Sequence, residues 1–429
     1  MDIFPSGLRV PHHPVVIVGG GQAGLSVSAY LSGRGVDHVV FEKHAIAHSW
    51  RAQRWDSFRL VTPNWQCRLP GFPYRGGDPY GFMGRDDVAG YVEAFARRVR
   101  APVREGVAVT RIAADAMGWF EVETSEGRVT ADAVVLAISG YHERRIPPVA
   151  QRLNPSITQI HTSDYKSPDQ LPAGAVLVVG SGQSGAQIAE DLHVAGRKVH
   201  LAVGSAPRCP RVYRGRDAVE WLDDLGQYDL PIDRHPKGAA VRRQANHYLT
   251  GRSGGHEIDL RRFATEGMAL HGRLVEAEGG HVTFADDLAR NLDAADEVYN
   301  GICELIDNHI VEADLKAPPG GRYAPVWAPP AGEGEDRFDL GEAGVTSVVW
   351  ATGFMADWSF VDAPFLDEDG YPRHRRGVTS VDGLFVIGLP WLHTWGSGRF
   401  AGVGRDAEHV ADAAVRRLAR AGRPLDLAI

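Results

Sequence analysis

Two glycine runs carry the chemistry open to this sequence. Val15-Val16-Ile17-Val18 is an apolar run that breaks into Gly19-Gly20-Gly21-Gln22-Ala23-Gly24, and Ala175-Val176-Leu177-Val178-Val179 breaks into Gly180-Ser181-Gly182-Gln183-Ser184-Gly185. Each reads as strand, turn, helix. The first glycine of such a unit makes the tight turn, the second lets the backbone approach a pyrophosphate, and the third lets the helix pack on the strand, so free N–H groups at the helix start face the phosphates. One GxGxxG is weak, because glycine turns are common. Two in the same context make two dinucleotides the expected ligands.

The residues beyond each glycine turn distinguish the two sites. Val39-Val40-Phe41-Glu42 is a second buried strand ending in an acid, about 20 residues past the glycines, where a carboxylate accepts ribose hydroxyls. Lys43 stands beside it. The strand Lys198–Ser205 ends without an acid; Ser205 and Arg208, with Arg211 and Arg214 further on, are expected to receive a ribose 2′-phosphate, which favours NADPH over NADH. After Glu42, the stretch His48–Leu60 is dense in aromatics and arginines and has neither helical nor strand period. In such a loop Ser49, Trp50 and Arg51 can cover a flat ring and reach phosphates, although packing on the core explains the same residues.

The positioning elements can be read in outline. Asp86 caps an amphipathic helix, Gly106–Ile112 and Trp119–Thr124 alternate as antiparallel strands, and Ala133–Ile138 is a buried strand back in the first sheet. Val107 joins the cofactor-binding set. Pro210–Gly280 reads as loops, Asp286 opens a long helix, and Pro318–Pro330 is a linker before the strand Ser347–Trp350 closes on Ala351-Thr352-Gly353. A further strand spans Gly383–Gly388, and Gly402-Val403-Gly404-Arg405 opens a last helix through about Ala421, with Arg405 at the cofactor end. The expected fold is α/β with two Rossmann-like dinucleotide-binding domains, the second inserted into the first: residues 1–168, 169–325 and 326–429.

Composition narrows the partners. The 429 residues suffice for two or three domains, and a net charge of -8 argues against nucleic acid. Cys67, Cys209 and Cys303 form neither CxxC nor a metal spacing, which suits a reducing cytoplasm. His12-His13 reads as part of a mobile polar lead-in spanning Met1–Pro14, not as a metal site. That lead-in lacks an export pattern, and no apolar run approaches a membrane span.

These residues together resemble class B flavin-dependent monooxygenases, the class of flavin-containing monooxygenases, plant YUCCA-type enzymes and bacterial cation-transport-associated flavoproteins. The likeness rests on the paired glycine motifs, Trp50-Arg51, Leu69-Pro70, His161-Thr162-Ser163-Asp164-Tyr165-Lys166 and Ala351-Thr352-Gly353. It implies FAD on the first motif, NADPH on the second, and O2 used through a flavin hydroperoxide to oxygenate N, S or C of a small molecule. The family signature FxGxxxH with a following aromatic is half present: His161 and Tyr165 fit, while Pro155 and Ile157 stand at the Phe and Gly positions. At the active face the expected residues are Asn64 and Gln66 of the proline loop and His393, Thr394, Trp395 and Arg399 of the C-terminal loop. Baeyer–Villiger insertion, an NADPH-dependent flavin reductase or oxidase without oxygen transfer, and a redox-sensing binding protein remain open alternatives. The long helix from Asp286 reads as core packing or as a homodimer seam.

Overall fold

An uninterrupted apolar run becomes a strand with no wet face, and Val15, Val16 and Ile17 are fully buried in β1 (His12–Val18). The computed structural model describes residues 10–115, 118–330, 336–420 and 422. From β1 the chain runs through α1 (Gln22–Gly33), β2 (His38–Glu42), the short α2 (His48–Ala52), α3 (Arg85–Val99) and β3 (Val103–Glu105). Next comes an antiparallel run: β4 (Val109–Ala114), β5 (Phe120–Thr124) and β6 (Gly127–Leu136). The chain then crosses to a second sheet through β7 (Thr158–His161), β8 (Ala175–Val179), α4 (Gln183–Val194), β9 (Val199–Ala202), α5 (Ala218–Asp224) and β10 (Ala269–His271). There it adds β11 (Leu274–Glu278), β12 (His281–Phe284), α6 (Leu288–Glu312), β13 (Asp336–Asp339) and β14 (Val345–Trp350). It returns through β15 (Leu384–Val386) to α7 (Val403–Arg420).

The two sheets repeat one plan. Parallel pairing orders the first as β15-β6-β1-β2-β3 and the second as β7-β14-β8-β9-β10. A glycine strand is central in each, and each carries an antiparallel annex, β4-β5-β6 or β11-β12-β13. This is the α/β architecture with two dinucleotide-binding units. The two crossings between the units lie side by side: Arg144 pairs with Phe354 and Glu143 with Met355, and the Arg145 N–H donates to the Gly353 carbonyl at 3.0 Å.

Several local expectations change. β7 and β14 both belong to the second sheet, Ile160 and Val178 lying on either side of Val349, so that sheet draws strands from outside residues 169–325. Val348 and Trp350 bury in one cluster with Leu177 and Val179; the Ser347 strand therefore enters the second core. His12 and His13 start β1, and His12 hydrogen bonds Thr130 and Asp132, each at 2.9 Å. The stretch after Glu42 opens with a helix, α2, and the residues of 210–280 supply α5, β10 and β11. Ala421 and the lead-in before residue 10 lie outside the described residues.

Asp191 on α4 is buried and holds the units together: it accepts hydrogen bonds from Ser57 at 2.6 Å, Tyr165 at 2.7 Å and Arg252 at 2.8 Å. A loop of the first unit, the linker and a loop of the second unit thus meet on one carboxylate.

The helix–strand contact of the second unit admits no side chain, since a Cβ on Gly185 would lie 1.9 Å from the Gly180 carbonyl oxygen. Gly185→Ala is expected to cost about 1–3 kcal/mol through overpacking and to weaken the nucleotide of the second unit while leaving that of the first in place. Thermal unfolding and separate binding titrations check both parts.

Candidate functional site: two nucleotide cradles under an aromatic cap

Each glycine turn is shaped by carbonyls that leave no room for a Cβ. Gly19 has φ +110° and Gly180 φ +106°, and a Cβ on either would come 2.6 Å from a carbonyl oxygen, that of Ala137 or of Ala351. Gly24 sits against the Gly19 carbonyl as Gly185 does against that of Gly180, a Cβ there reaching 2.0 Å. Gly21 and Gly182 are the helix N-caps; neither supplies a side-chain acceptor, and the space where their Cβ would project is open to 4 Å. Unsatisfied first-turn N–H groups beside open space fit a pyrophosphate. Ala23 packs so closely on the end of β15 that a Cβ on Gly388 would lie 2.8 Å from its methyl.

The second shared feature is how each turn is tied down. The Gly20 N–H donates to Glu42 Oε2 at 2.8 Å and the His44 N–H to Oε1 at 2.9 Å, so the carboxylate is fixed at the end of β2 with lone pairs left for a ribose. In the other unit the Gly204 N–H donates to Ser181 Oγ at 3.0 Å, with no acid in that place. Gln22 reaches over its crevice to the Gly398 carbonyl at 3.2 Å, and Gln183 clasps both backbone groups of Leu249 at 2.5 and 3.2 Å. Ser184 is half-buried behind it. Val107 is buried and donates its N–H to the Glu42 carbonyl at 2.9 Å, supporting β2 from below.

The C-terminal loop is organised by Ser397, whose hydroxyl accepts from the His393 and Thr394 N–H groups, each at 3.1 Å, and donates to buried Asp406. Burial raises the Asp406 pKa against the Ser397 hydrogen bond. Residues 226–248 of the second unit cover this loop. Ile232 donates to the His393 carbonyl at 2.7 Å and Gly396 to the Tyr228 carbonyl at 3.0 Å, while Pro231 bridges Thr394. The Trp395 indole stacks on Tyr228, centroids 4.7 Å apart at 17°, and its N–H donates to Asn246 Oδ1 at 3.1 Å. Arg399 donates to the same oxygen at 3.0 Å and lies 4.7 Å over the Trp395 ring. Burial beside Arg399 lowers the His247 pKa to about 4, and burial also lowers that of His393.

Thr394, Trp395 and Arg399 are therefore brought together, and the cap residues Tyr228, Asn246 and His247 join them unannounced by any motif. Of the proline loop, Trp65 packs into the same aromatic cluster. Asn64 is committed to its own loop, donating to the Asp78 carbonyl at 2.9 Å and accepting from the Met83 N–H at 2.8 Å. Buried Gln66 keeps an unpartnered Nε2, as Trp65 keeps its indole N–H.

Comparison with known proteins fits this arrangement. A family model described as pyridine nucleotide-disulphide oxidoreductase matches residues 16–222. An uncharacterized CzcO-like oxidoreductase of Geobacillus kaustophilus is 31% identical over 400 residues, 92% of this chain and 96% of that one. The chain belongs to the CzcO-like oxidoreductases. The YUCCA1 indole-3-pyruvate monooxygenase of Oryza sativa is 35% identical over 191 residues, 44% of this chain and 47% of its own. The same fold occurs in a flavin-containing monooxygenase from Stenotrophomonas maltophilia, with TM-score 0.65, 18% identity and coverage of 95% and 99%. It also occurs in a Kutzneria ornithine N-hydroxylase solved with reduced FAD, NADP+ and L-ornithine, with TM-score 0.62, 17% identity and coverage of 95% and 100%. By its family this CzcO-like chain is an oxidoreductase.

Against that identity, several side chains of the CzcO-like chain sit elsewhere than spacing implied. Lys43 and Ser49 are exposed. Trp50 stacks on Phe400 at 5.7 Å, but Arg51 faces solvent and pairs with Glu93 at 2.6 Å and Asp86 at 3.3 Å, because α2 sends neighbouring side chains to different sides. Arg405 turns to Asp229 at 2.5 Å. Ala351-Thr352-Gly353 ends β14 and so lines the second cradle; Thr352 donates to the Arg145 carbonyl, and the Gly353 carbonyl lies 3.0 Å from His161 Nε2. Among the basic residues after β9, Ser205 is exposed, whereas Arg208 is a correction. It is 2% exposed, lies 4.7 and 4.1 Å from the Tyr299 and Tyr323 ring centres, and pairs with Asp296 at 2.8 Å, near Glu257 and Asp259. Arg208 serves the interior, not a 2′-phosphate. Arg211 is spent on Asp217 and the Val61 and Thr250 carbonyls, and Arg214 on Asp307.

Two pairings of buried carboxylates can be probed by mutation. Arg208→Ala takes the buried cation from between Asp296 and Asp259, leaving Asp296 to Arg261 alone, and should lose about 3 kcal/mol of stability with the NADPH-to-NADH preference unchanged, as chemical denaturation and paired nucleotide titrations will report. His256 hydrogen bonds buried Glu190 at 2.5 Å, which raises its pKa above the ordinary 6.5. A raised folded pKa gives stability that is complete below the unfolded value and lost as pH rises through the folded one; His256→Gln should flatten that part of a stability–pH profile.

Proposed function

We propose that this chain is a monooxygenase that retains FAD in the first cradle, receives NADPH in the second, and transfers one atom of O2 to nitrogen, sulfur or carbon of a small molecule. The observation that carries the reading is the repetition of one phosphate-binding turn in two sheets, with an acid at the end of β2 and none at the end of β9. FAD supplies the redox and oxygen chemistry and NADPH the hydride. The chain's own work is to bind, orient and exclude water. Gly19 and Gly180 shape the turns, their own N–H groups donating to the Phe41 and Ala202 carbonyls at 2.8 and 3.1 Å; the N–H groups of the first turns of α1 and α4, opened by Gly21 and Gly182, would face the two pyrophosphates, with Glu42 on the ribose of the first. Trp50 and Phe400 wall the first crevice. The cap holds Trp395 and Arg399 in one geometry and shields the loop His393–Arg399, which with Gln66 forms the substrate face.

The buried cysteines favour this reading over disulfide reduction: burial pushes the Cys67 thiol up to about 12 and the Cys303 thiol to about 11, away from thiolate chemistry. We place the limits of the inserted domain at the paired crossings 143–145 and 353–355, and the protein in the cytoplasm. The outer side of α6, with Val298, Leu305 and Val311 exposed, is the surface on which a second copy would pack.

The test is turnover with NADPH and 18O2 over amines, thioethers and ketones. One labelled oxygen in an organic product, matched to NADPH consumed, is the expected result. Flavin reduction by NADPH with all label recovered as peroxide or water, for every compound, would make it a reductase or oxidase.

A further inference from the structure

The aromatic-rich stretch after Glu42 holds, two residues past the end of α2, an arginine that meets aromatic rings where Arg51 meets acids. Arg54 is half-buried, its guanidinium lies 5.1 Å from the Trp50 ring centre and 5.7 Å from that of Phe58, and that guanidinium's one hydrogen bond among the described residues is to the Gln53 carbonyl, at 3.0 Å. No carboxylate lies within ion-pair distance of it among the described residues. The two acids of its surroundings are taken: Asp56 pairs with Arg85 at 2.6 Å, and Asp164 pairs with both terminal nitrogens of Arg144 at 2.6 and 2.7 Å. A second cation stands beside it. Lys166 donates to the Ala52 and Ser163 carbonyls at 2.6 and 2.9 Å and reaches the Arg54 carbonyl at 3.5 Å. Burial lowers the pKa of both groups; Asp164 and Asp56 offset it in part for Lys166, and no carboxylate does so for Arg54.

The place is the crevice between the units. Trp50 stacks on Phe400 of the C-terminal loop, which Gln22 of the first cradle also touches through Gly398. Tyr141, just past the end of β6, is a neighbour of Arg54 and meets edge-on, at 5.8 Å, Phe354, just past the end of β14. Arg54 thus stands where the carboxyl ends of the two strands flanking the glycine strands converge, which is where ligands of open α/β sheets bind. A guanidinium with spare donors on an aromatic floor, in a crevice with surplus positive charge, is built for an oxyanion.

We propose that Arg54, seconded by Lys166, is a phosphate receptor in the inter-unit crevice and binds a phosphate oxygen of a dinucleotide there. The inference rests on the reading of both cradles as nucleotide sites. It concerns binding alone, so a protein that binds both nucleotides through Arg54 yet transfers no oxygen would sink the functional reading and leave this one standing.

The experiment compares the full chain with Arg54→Gln and Arg54→Lys, measuring the Kd of FAD for the apoprotein and of NADP+ for the holoprotein, with thermal unfolding as the control for fold. Arg54→Gln should raise one Kd about 10-fold or more, with Arg54→Lys intermediate; a loss on NADP+ names the visiting nucleotide as the source of the phosphate, a loss on FAD the resident one. Both constants within about twofold of the wild type in a folded variant would overturn the proposal. Should Arg54→Gln not fold, phenylglyoxal labelling of the wild-type chain decides. Arg54 should be modified in the apoprotein and protected by FAD, or by NADP+ on the holoprotein, and modification that neither nucleotide slows would overturn it.

Discussion

A carbonyl oxygen about 2 Å from where a Cβ would stand is the constraint on which this molecule is built. It occurs at Gly24 against Gly19 and again at Gly185 against Gly180. In each case it forces a helix N-terminus down onto the end of a buried parallel strand, and the cost is that no other residue type can occupy the position. The gain is a set of backbone N–H groups with nothing but space in front of them, whose partial positive charge needs no side chain and no titration. The rest of each unit holds that contact: the neighbouring strand end, Ala137 or Ala351, closes the turn from the other side, and Gln22 or Gln183 ties the helix start to the loop above.

Two such turns become one machine only if their separation is held. Three devices do that here. The chain crossings pair side by side at Arg144–Phe354, the carboxylate of Asp191 collects Ser57, Tyr165 and Arg252, and the cap of residues 226–248 hydrogen bonds to the C-terminal loop at His393, Trp395 and Gly396. The family-like His161 and Tyr165 act in the first two: His161 lies against Gly353 at a crossing, and Tyr165 donates to Asp191. The absence of Phe and Gly at positions 155 and 157 leaves both contacts intact, because neither uses them.

The glycine turns, Glu42, both central strands and the last helix were legible because each depends on local spacing: an apolar run, a turn that only glycine makes, a periodic helix. Sheet membership was not. Val345–Trp350 has the composition of any buried strand, and nothing within it says that it pairs with Val176–Val179 in place of the first sheet. The arginines were the least legible. Arg51, Arg54 and Arg208 are the same residue type in similar company, yet one meets Glu93 in solvent, one faces the crevice without a carboxylate, and one is enclosed by acids contributed by α6 and the loop before residue 260. Which way each points is decided by a helical turn or by partners about 50 to 90 residues away, beyond the reach of local pattern. The cap was missed for a related reason: Tyr228, Asn246 and His247 carry no spacing, and only the returning loop 391–399 gives them a role.

The most direct measurement is the nucleotide stoichiometry of the purified chain under saturation. Equilibrium dialysis with FAD and NADP+ together should find one of each per chain, with FAD remaining after gel filtration and NADP+ adding without displacing it. A total of one nucleotide per chain, or FAD driven off as NADP+ binds, would contradict the existence of two independent cradles.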